Sequence, residues 1–488
     1  MDTSIFVFGG ILVAITATYL FLHKTQRERL VYGLKTRGRK VSSAGTPPRD
    51  LAPEKQLSGP LYGDVLPPLR REALYDVART GISVKDVLAP KDLGDSDVVR
   101  SILPLTANYR TCTEVKFTPP GFSTDEIRAL GNFPDYATLS GIPLPSVYEE
   151  FDIDKALPRP YRPFRWNYHQ TMSLTKMEPD WWLELENTYK SRVAHRKILH
   201  AKHGKSVLDR LPGSELACKE LMEMVIQFLC ARYPRYFSLS EDKRYFTNGI
   251  LDTVEDLHTK DPLVFLMDNV PEDFGIMLRD DKTGNYVLRA GSICSSLGWN
   301  LSTKMGMQLH EIHEPIPDYK EKMQFSMDRY FAKMPTDKPI QRGSWGLEVE
   351  QPLFMPPGDP HELHRLSQSD SLQLSSCYLR VDWQTLRRLP LSGSIIFNFK
   401  ALFTPVTEFR DEPGIPALVA KILREGKRNI MEYKNTWHVE HVVLPALDQW
   451  AKEQEEKGII EKDWNVTTLE DSPYFKGWEE KWHRQQGF

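Results

Sequence analysis

Two short runs set imidazoles beside carboxylates: Leu309-His310-Glu311-Ile312-His313-Glu314-Pro315-Ile316-Pro317, and His361-Glu362-Leu363-His364. Neutral imidazole is the commonest side-chain metal ligand, and one proximal histidine suffices to hold haem iron. Pro315 and Pro317 stiffen the chain behind His313. Drawn together with nearby carboxylates, the two runs would make a zinc or non-haem iron site. The prolines around His361 count against the helix that would align its i, i+3 pair, and paired histidines are more often plain surface or core residues. A second concentration is Arg380, Arg387 and Arg388. Their forked guanidinium groups suit carboxylates, whether haem propionates or an acidic substrate, and a salt-bridged strand edge is the plain alternative. Glu272-Asp273, beside an apolar stretch, reads as paired acid–base carboxylates or as a solvated turn.

Several familiar signatures are absent. There is no G-x-G-x-x-G, no phosphate-binding G-x-x-x-x-G-K-S/T, no H-E-x-x-H and no G-x-S-x-G. The five cysteines, Cys112, Cys218, Cys230, Cys294 and Cys377, form no C-x-x-C pair, so reduced thiols are expected.

The elements that must position these residues are mixed. A helix is expected from Asp180 to His203, after Pro179 and before Gly204, and another from Ser214 to about Tyr233. Asp261 to Met267 reads as a short helix or a buried turn. Phe274–Arg279 and Asn285–Cys294 read as a hairpin across Asp280-Asp281-Lys282. Trp345–Val349, Cys377–Val381 and Ser394–Lys400 are strand-like, with a turn at Pro390–Gly393, and the tail from Ile415 is helical. Antiparallel strands between helices indicate an α+β fold.

Ile5 to Leu22 is eighteen residues without a charge, followed by Lys24, Arg27, Arg29, Lys35, Arg37, Arg39 and Lys40. That just spans a bilayer, and the basic flank keeps the long C-terminal part on the cytosolic side. The expected plan is an anchor at 1–24, a basic then Pro-rich connector at 25–105, a main domain at 106–410 and a helical extension at 411–488. At 488 residues the chain exceeds one ordinary core. With 63 Lys+Arg against 66 Asp+Glu, it lacks the broad basic character of a nucleic-acid binder.

An ordered series of segments resembles the haem-dependent oxidative N-demethylase alpha-subunit-like family. It opens with Tyr161-Arg-Pro-Phe-Arg-Trp-Asn-Tyr-His-Gln-Thr-Met-Ser-Leu174 and Trp182-Leu-Glu-Leu-Glu-Asn-Thr-Tyr189. It continues with Gly298-Trp299, Lys304-Met-Gly306, Ile312-His-Glu-Pro-Ile-Pro-Asp-Tyr319, Arg342-Gly-Ser-Trp345, Gln384-Thr-Leu-Arg-Arg-Leu-Pro390 and Tyr433-Lys434. The likeness covers about residues 155 to 435.

The resemblance implies a PAS-like antiparallel sheet with flanking helices and a b-type haem. It implies a monooxygenase-like oxidation, N-demethylation being the family chemistry, with NAD(P)H-derived electrons from a separate reductase. By position it carries the iron-ligand role to His313, and propionate or pocket contacts to Arg387 and Arg388, with Arg380 beside them. Glu272, Asp273 and Arg342 are the candidate catalytic donors. This chain has Ser296-Leu297 where the family has Pro-Ser, Trp383 where an Arg precedes the Gln-Thr block, and Ser344 in place of Asn. These departures are expected to reshape the pocket. With the anchor, the resemblance suggests a fungal-type member on the cytosolic face of the endoplasmic reticulum, acting on a small or lipophilic secondary metabolite. A non-catalytic PAS-type protein that senses or carries haem or another ligand is the alternative. A membrane-anchored transferase has only the anchor in its favour.

Overall fold

In the computed structural model, residues 118–487 are described, apart from 121, 123, 168–170 and 281–282. The expected anchor and connector lie outside the described residues. No described helix is long and apolar enough to cross a membrane.

The main strands are β1 (Thr175–Lys176), β2 (Leu208–Arg210), β6 (Asp273–Arg279), β7 (Tyr286–Ser292), β8 (Ile340–Val349), β9 (Cys377–Arg388) and β10 (Ile395–Pro405). They form one sheet in the order β1-β8-β9-β10-β6-β7-β2, with every neighbouring pair antiparallel. Strands β3 (Phe237–Leu239), β4 (Tyr245–Asn248) and β5 (Thr253–Asp256) make a small second sheet. The mixed composition of helices and a large antiparallel sheet agrees with the α+β expectation.

Successive residues of a strand face opposite sides, and here both sides are covered. One face carries Ile276, Ala290, Trp345, Leu347, Leu379, Val381, Trp383 and Ile396. Against it pack the helices Tyr189–His203, Glu215–Arg232 and Pro262–Asn269 from the middle of the chain, and Ile415–Glu425 and Trp437–Glu456 from its end. The expected C-terminal extension thus shares a core with the sheet. The other face carries Met277, Leu288, Ile340, Leu386, Ile395 and Phe399, covered by Leu309–His313 and Gln324–Lys333.

The β6–β7 hairpin forms where it was expected. Asp280 N–H donates to the Asn285 carbonyl at 2.8 Å, and Gly284 supplies the positive φ of +71° that closes the turn. The Leu389–Ser394 turn joining β9 to β10 is fastened from outside. Glu220, fully buried in the helix Glu215–Arg232, accepts from the Leu391 and Ser392 amides at 2.6 and 2.9 Å. Burial pushes the Glu220 carboxyl up to about 7, against the pull of those donors.

One expected element differs. The helix expected from Asp180 starts only at Tyr189, after a single 3-10 turn at Pro179–Trp181. Trp182 to Glu186 are five consecutive buried residues, which a one-sided helical stripe does not provide. Trp182, Leu183 and Leu185 enter the core, while Glu184 pairs with Arg159 at 3.1 Å and Glu186 with Lys400 at 3.3 Å.

Arg162 and Glu412 join segments 250 residues apart in the chain. Nε and Nη2 of Arg162 donate to the two Glu412 oxygens at 2.7 Å each, and the side chains are 3% and 0% exposed. Breaking such a pair leaves a buried charge without its partner, at a cost of about 3–5 kcal/mol. Glu412→Ala is therefore expected to lower the unfolding free energy by about that amount. A change below about 1 kcal/mol in a urea titration would contradict this role.

Candidate functional site

A cavity of about 590 Å³ opens on the second face of the sheet, within the roughly 300–1,000 Å³ typical of small-molecule sites. The two-residue repeat selects its floor. Arg380, Asp382, Gln384 and Leu386 of β9 line it, joined by Arg342 and Ser344 of β8, Phe397 and Phe399 of β10, and Gly275 and Met277 of β6. Arg342 stands opposite Gln384, and Ser344 opposite Asp382, in the strand register. The apolar wall comes from residues such as Leu174, Ile293, Trp299, Ile316, Met327 and Phe331.

Gly343 is what lets the Tyr161–Pro163 segment lie on β8. A Cβ there would stand 2.5 Å from Tyr161 Cε1 and 3.0 Å from two Pro163 carbons, closer than atoms can pack.

His313 ends the helix Leu309–His313 and lines the cavity. That helix starts on a capping box, in which Gln308 and Glu311 bond each other's backbone amides. The His313 ring stacks on Tyr319 at 5.3 Å between centroids and 14° between planes. Its Nδ1 lies 2.7 Å from the Leu309 carbonyl oxygen. A carbonyl only accepts, so Nδ1 carries the proton and Nε2 keeps its lone pair. Burial pushes the imidazolium down to about 4; the Leu309 carbonyl opposes this, and the charges of Arg342 and Lys304 add to it. At neutral pH the ring is a neutral, oriented nitrogen donor, the form a metal ligand needs.

The sequence candidates separate on this geometry. His313 and Arg342 line the cavity. Arg380 also lines it, but its donors are engaged: Nε and Nη2 bond Asp382 at 3.0 and 2.9 Å, Nη1 bonds the Pro352 and Leu353 carbonyls at 2.6 and 3.3 Å, and Nη2 also meets the Ser295 carbonyl. It straps two loops to the sheet. Arg387, one position out of phase, lies on the opposite face, 4.0 Å over the Trp182 ring. Burial pulls it down to about 9, with Glu220 opposing. Arg388 reaches the Phe331 carbonyl at 2.6 Å and the Gly393 carbonyl at 3.4 Å, beyond the cavity lining. Trp383, a departure from the family pattern, also faces away, whereas Ser344 and Leu297 line the cavity.

Glu272 and Asp273 are buried but do not line the cavity. Burial pushes the Glu272 carboxyl up to about 7, with Lys400 opposing. Asp273 holds the chain beside the cavity in place. It pairs with Arg196 and accepts from the Cys294 and Ser295 amides at 2.8 and 2.7 Å. At the other histidine run, His361 Nε2 donates to the Val349 carbonyl at 3.0 Å, and its ring is 4.9 Å from that of His364. Among the described residues no group of three or more His, Cys, Asp or Glu is placed to hold a metal ion, so the zinc or non-haem iron alternative finds no ligand set there. The four described cysteines are free thiols, as expected.

Sequence reasoning gave no role to Lys304, Arg165 or Lys434, all on the cavity wall. Lys304 Nζ donates to the Ile312 carbonyl at 2.9 Å and sits 5.0 Å from the Trp299 ring centre. Lys434, the last residue of the helix Arg428–Lys434, donates to the Trp345 carbonyl at 2.5 Å and lies 4.2 Å from that ring's centre. Burial, then the neighbouring Arg342 charge, pulls the Lys434 ammonium down to about 7, with Asp382 opposing. The Tyr433-Lys434 dipeptide marks the place in the sequence, but no spacing rule shows where the side chain points.

The donor set fits a haem. One neutral imidazole nitrogen stands in an apolar cavity whose wall also carries the cations Arg342, Lys304 and Arg165, suited to propionates. Residues 173–444, more than half of the chain, match the family described as haem-dependent oxidative N-demethylase, alpha subunit-like. The chain belongs to this family. Its name is that of haem-dependent oxidative enzymes, and the matched span contains β1, β2 and β6–β10, together with His313, Arg342 and Lys434.

The depressed Lys434 value sets a pH dependence. The unfolded lysine holds its proton up to its ordinary value of 10.5, whereas the folded one releases it near 7. Between those limits the unfolded chain binds more protons, so this group makes stability rise with pH from about 7 to 10.5 and level off below 7. Lys434→Met is expected to flatten that rise relative to wild type. Parallel stability–pH curves for the two proteins over that window would contradict the assignment.

Proposed function

We propose that the protein is a haem-dependent oxidoreductase of the monooxygenase type, in which His313 would hold the iron of a b-type haem in the cavity. The observation that carries this reading is the His313 Nδ1–Leu309 carbonyl bond, which leaves Nε2 of this cavity-lining histidine with its lone pair. The five long strands support the PAS-like reading. Taken in chain order from β6 to β10 they lie 2-1-5-4-3, and the crossover between the second and third carries His313.

Haem, when bound, supplies the binding and reduction of dioxygen that oxidation of an N-methyl or another C–H bond requires. The residues of this chain supply the rest. His313 is fixed in one tautomer and stacked on Tyr319. Lys304 and Arg165 are the candidates for the propionates. Arg342, whose charge acts on both His313 and Lys434, is the candidate donor to an oxygen or substrate atom. Asp273 and Arg380 position the Ser295 segment. Electrons come from NAD(P)H through a separate reductase, and the substrate is a small or lipophilic metabolite. Residues 5–22 would tether the protein to a membrane with this domain on the cytosolic side.

The test is spectroscopic. Protein loaded with haem is expected to show a Soret band that His313→Ala abolishes or shifts by several nanometres. His310→Ala, one helical turn away on the same segment, is expected to leave the band in place. A Soret band unchanged in His313→Ala, or none in wild type, contradicts the reading.

A further inference from the structure

On the face of the sheet turned away from the large cavity, Arg387 is buried to 6% exposure. Among the described residues its Nε has no hydrogen-bond partner, and no described carboxylate lies within ion-pair distance of it. Glu220 acts on it through space but gives its two oxygens to the Leu391 and Ser392 amides. What touches the guanidinium is the Trp182 ring, 4.0 Å from the ring centre. Such a contact offsets only part of the cost of taking a guanidinium out of water. At neutral pH the group keeps its proton, so the burial calls for a counterion or an oriented acceptor.

Arg387 opens onto a small cavity of about 30 Å³ between β9, the helix Glu215–Arg232 and the helix Tyr136–Ser140. Trp182, Met177, Met224 and Phe228 give it apolar walls. Two further donors belong to the same lining. The Trp182 indole N–H is buried without a partner among the described residues. Ser140, fully buried, accepts from the Ile142 amide at 3.2 Å and so keeps its own proton to donate. The lining reaches the surface at Pro143 and at Leu144, which is 50% exposed.

We propose that this cavity is a binding site for one small inorganic anion of halide size, held by the Arg387 guanidinium on its Trp182 platform beside Ser140. The volume sets the class of ligand. It admits one or two bodies the size of a water molecule, so chloride fits, and a tetrahedral oxyanion or an organic acid does not. The ion supplies the partner that a buried guanidinium needs, and the Trp182 ring holds the fork in place to receive it. The neighbours of Arg387 on β9 give the site a structural consequence. Leu386 lines the large cavity, and Arg388 donates to the Phe331 carbonyl at 2.6 Å. Chloride at Arg387 therefore steadies the strand that floors the large cavity, whether or not haem is present.

The experiment is urea unfolding of the full-length protein while sodium chloride replaces sodium gluconate at constant ionic strength, gluconate being too large to enter. A ligand that binds only the folded state raises stability as it saturates its site. At chloride ten times its half-saturating concentration the folding equilibrium constant is expected to be about ten-fold higher than in gluconate. Arg387→Met is expected to hold that gain below about two-fold. Arg387→Lys keeps the charge but not the planar fork, and is expected to raise the half-saturating chloride concentration at least about three-fold; it serves as the readout should Arg387→Met fail to fold. Equal stability of the wild type in the two salts overturns the proposal, as does a chloride gain that survives undiminished in either variant.

Discussion

The two-residue repeat of β9 is the constraint on which the rest of the structure depends. This strand lies inside the sheet, bonded to β8 on one side and β10 on the other, so a shift of one position would turn every side chain to the opposite face. In the observed register Val381, Trp383 and Arg387 face the helices, while Arg380, Asp382, Gln384 and Leu386 face the cavity. Two things hold that register. Glu220 captures the amides of the turn after the strand, and Arg380 reaches across to the Ser295 and Pro352 carbonyls. A core mutation on the helical face therefore acts on the cavity through strand position, not through contact with any ligand.

A second theme is that several buried charges of the fold are matched by ion pairs, while cations gather at the site. Arg162 with Glu412, Arg196 with Asp273, and Lys400 with Glu186 are buried ion pairs. Each satisfies the rule that a charge removed from water needs a partner. Among the described residues of the cavity wall cations outnumber carboxylates, and burial pulls the His313 imidazole down to about 4 and the Lys434 ammonium down to about 7. Such shifts gather where a protein prepares groups to meet a ligand.

Much of this was legible in the sequence, for physical reasons. The β6–β7 hairpin follows from alternation around Asp280–Gly284, and the helix Pro262–Asn269 from Asp261 at its N-cap and proline in its first turn. The family follows from an ordered series of motifs around His313 and Arg342. What stayed hidden depended on tertiary facts. The 182–186 segment looked like part of an amphipathic helix because Trp181, Leu185 and Tyr189 recur at i, i+4, i+8 between Pro179 and Gly204, and only the positions of Arg159 and Lys400 show what its two glutamates are buried against. Adjacent arginines read alike in a sequence, yet strand register sends Arg387 over Trp182 and leaves Arg380 on the cavity side. Glu272 and Asp273 looked catalytic because carboxylates beside apolar residues are what acid–base sites use. Asp273 proves to be a brace for Cys294 and Ser295.

The central claim is that one imidazole, His313, presents Nε2 to haem iron. The most direct measurement is the iron–nitrogen stretching band in the resonance Raman spectrum of the ferrous haem protein, recorded for wild type and for His313→Gly with and without added imidazole. The band is expected in wild type, to shift on ¹⁵N-histidine labelling, to vanish in His313→Gly and to return when imidazole fills the vacated space. An unaltered, label-sensitive band in His313→Gly without imidazole would contradict the claim and place the ligand on another histidine.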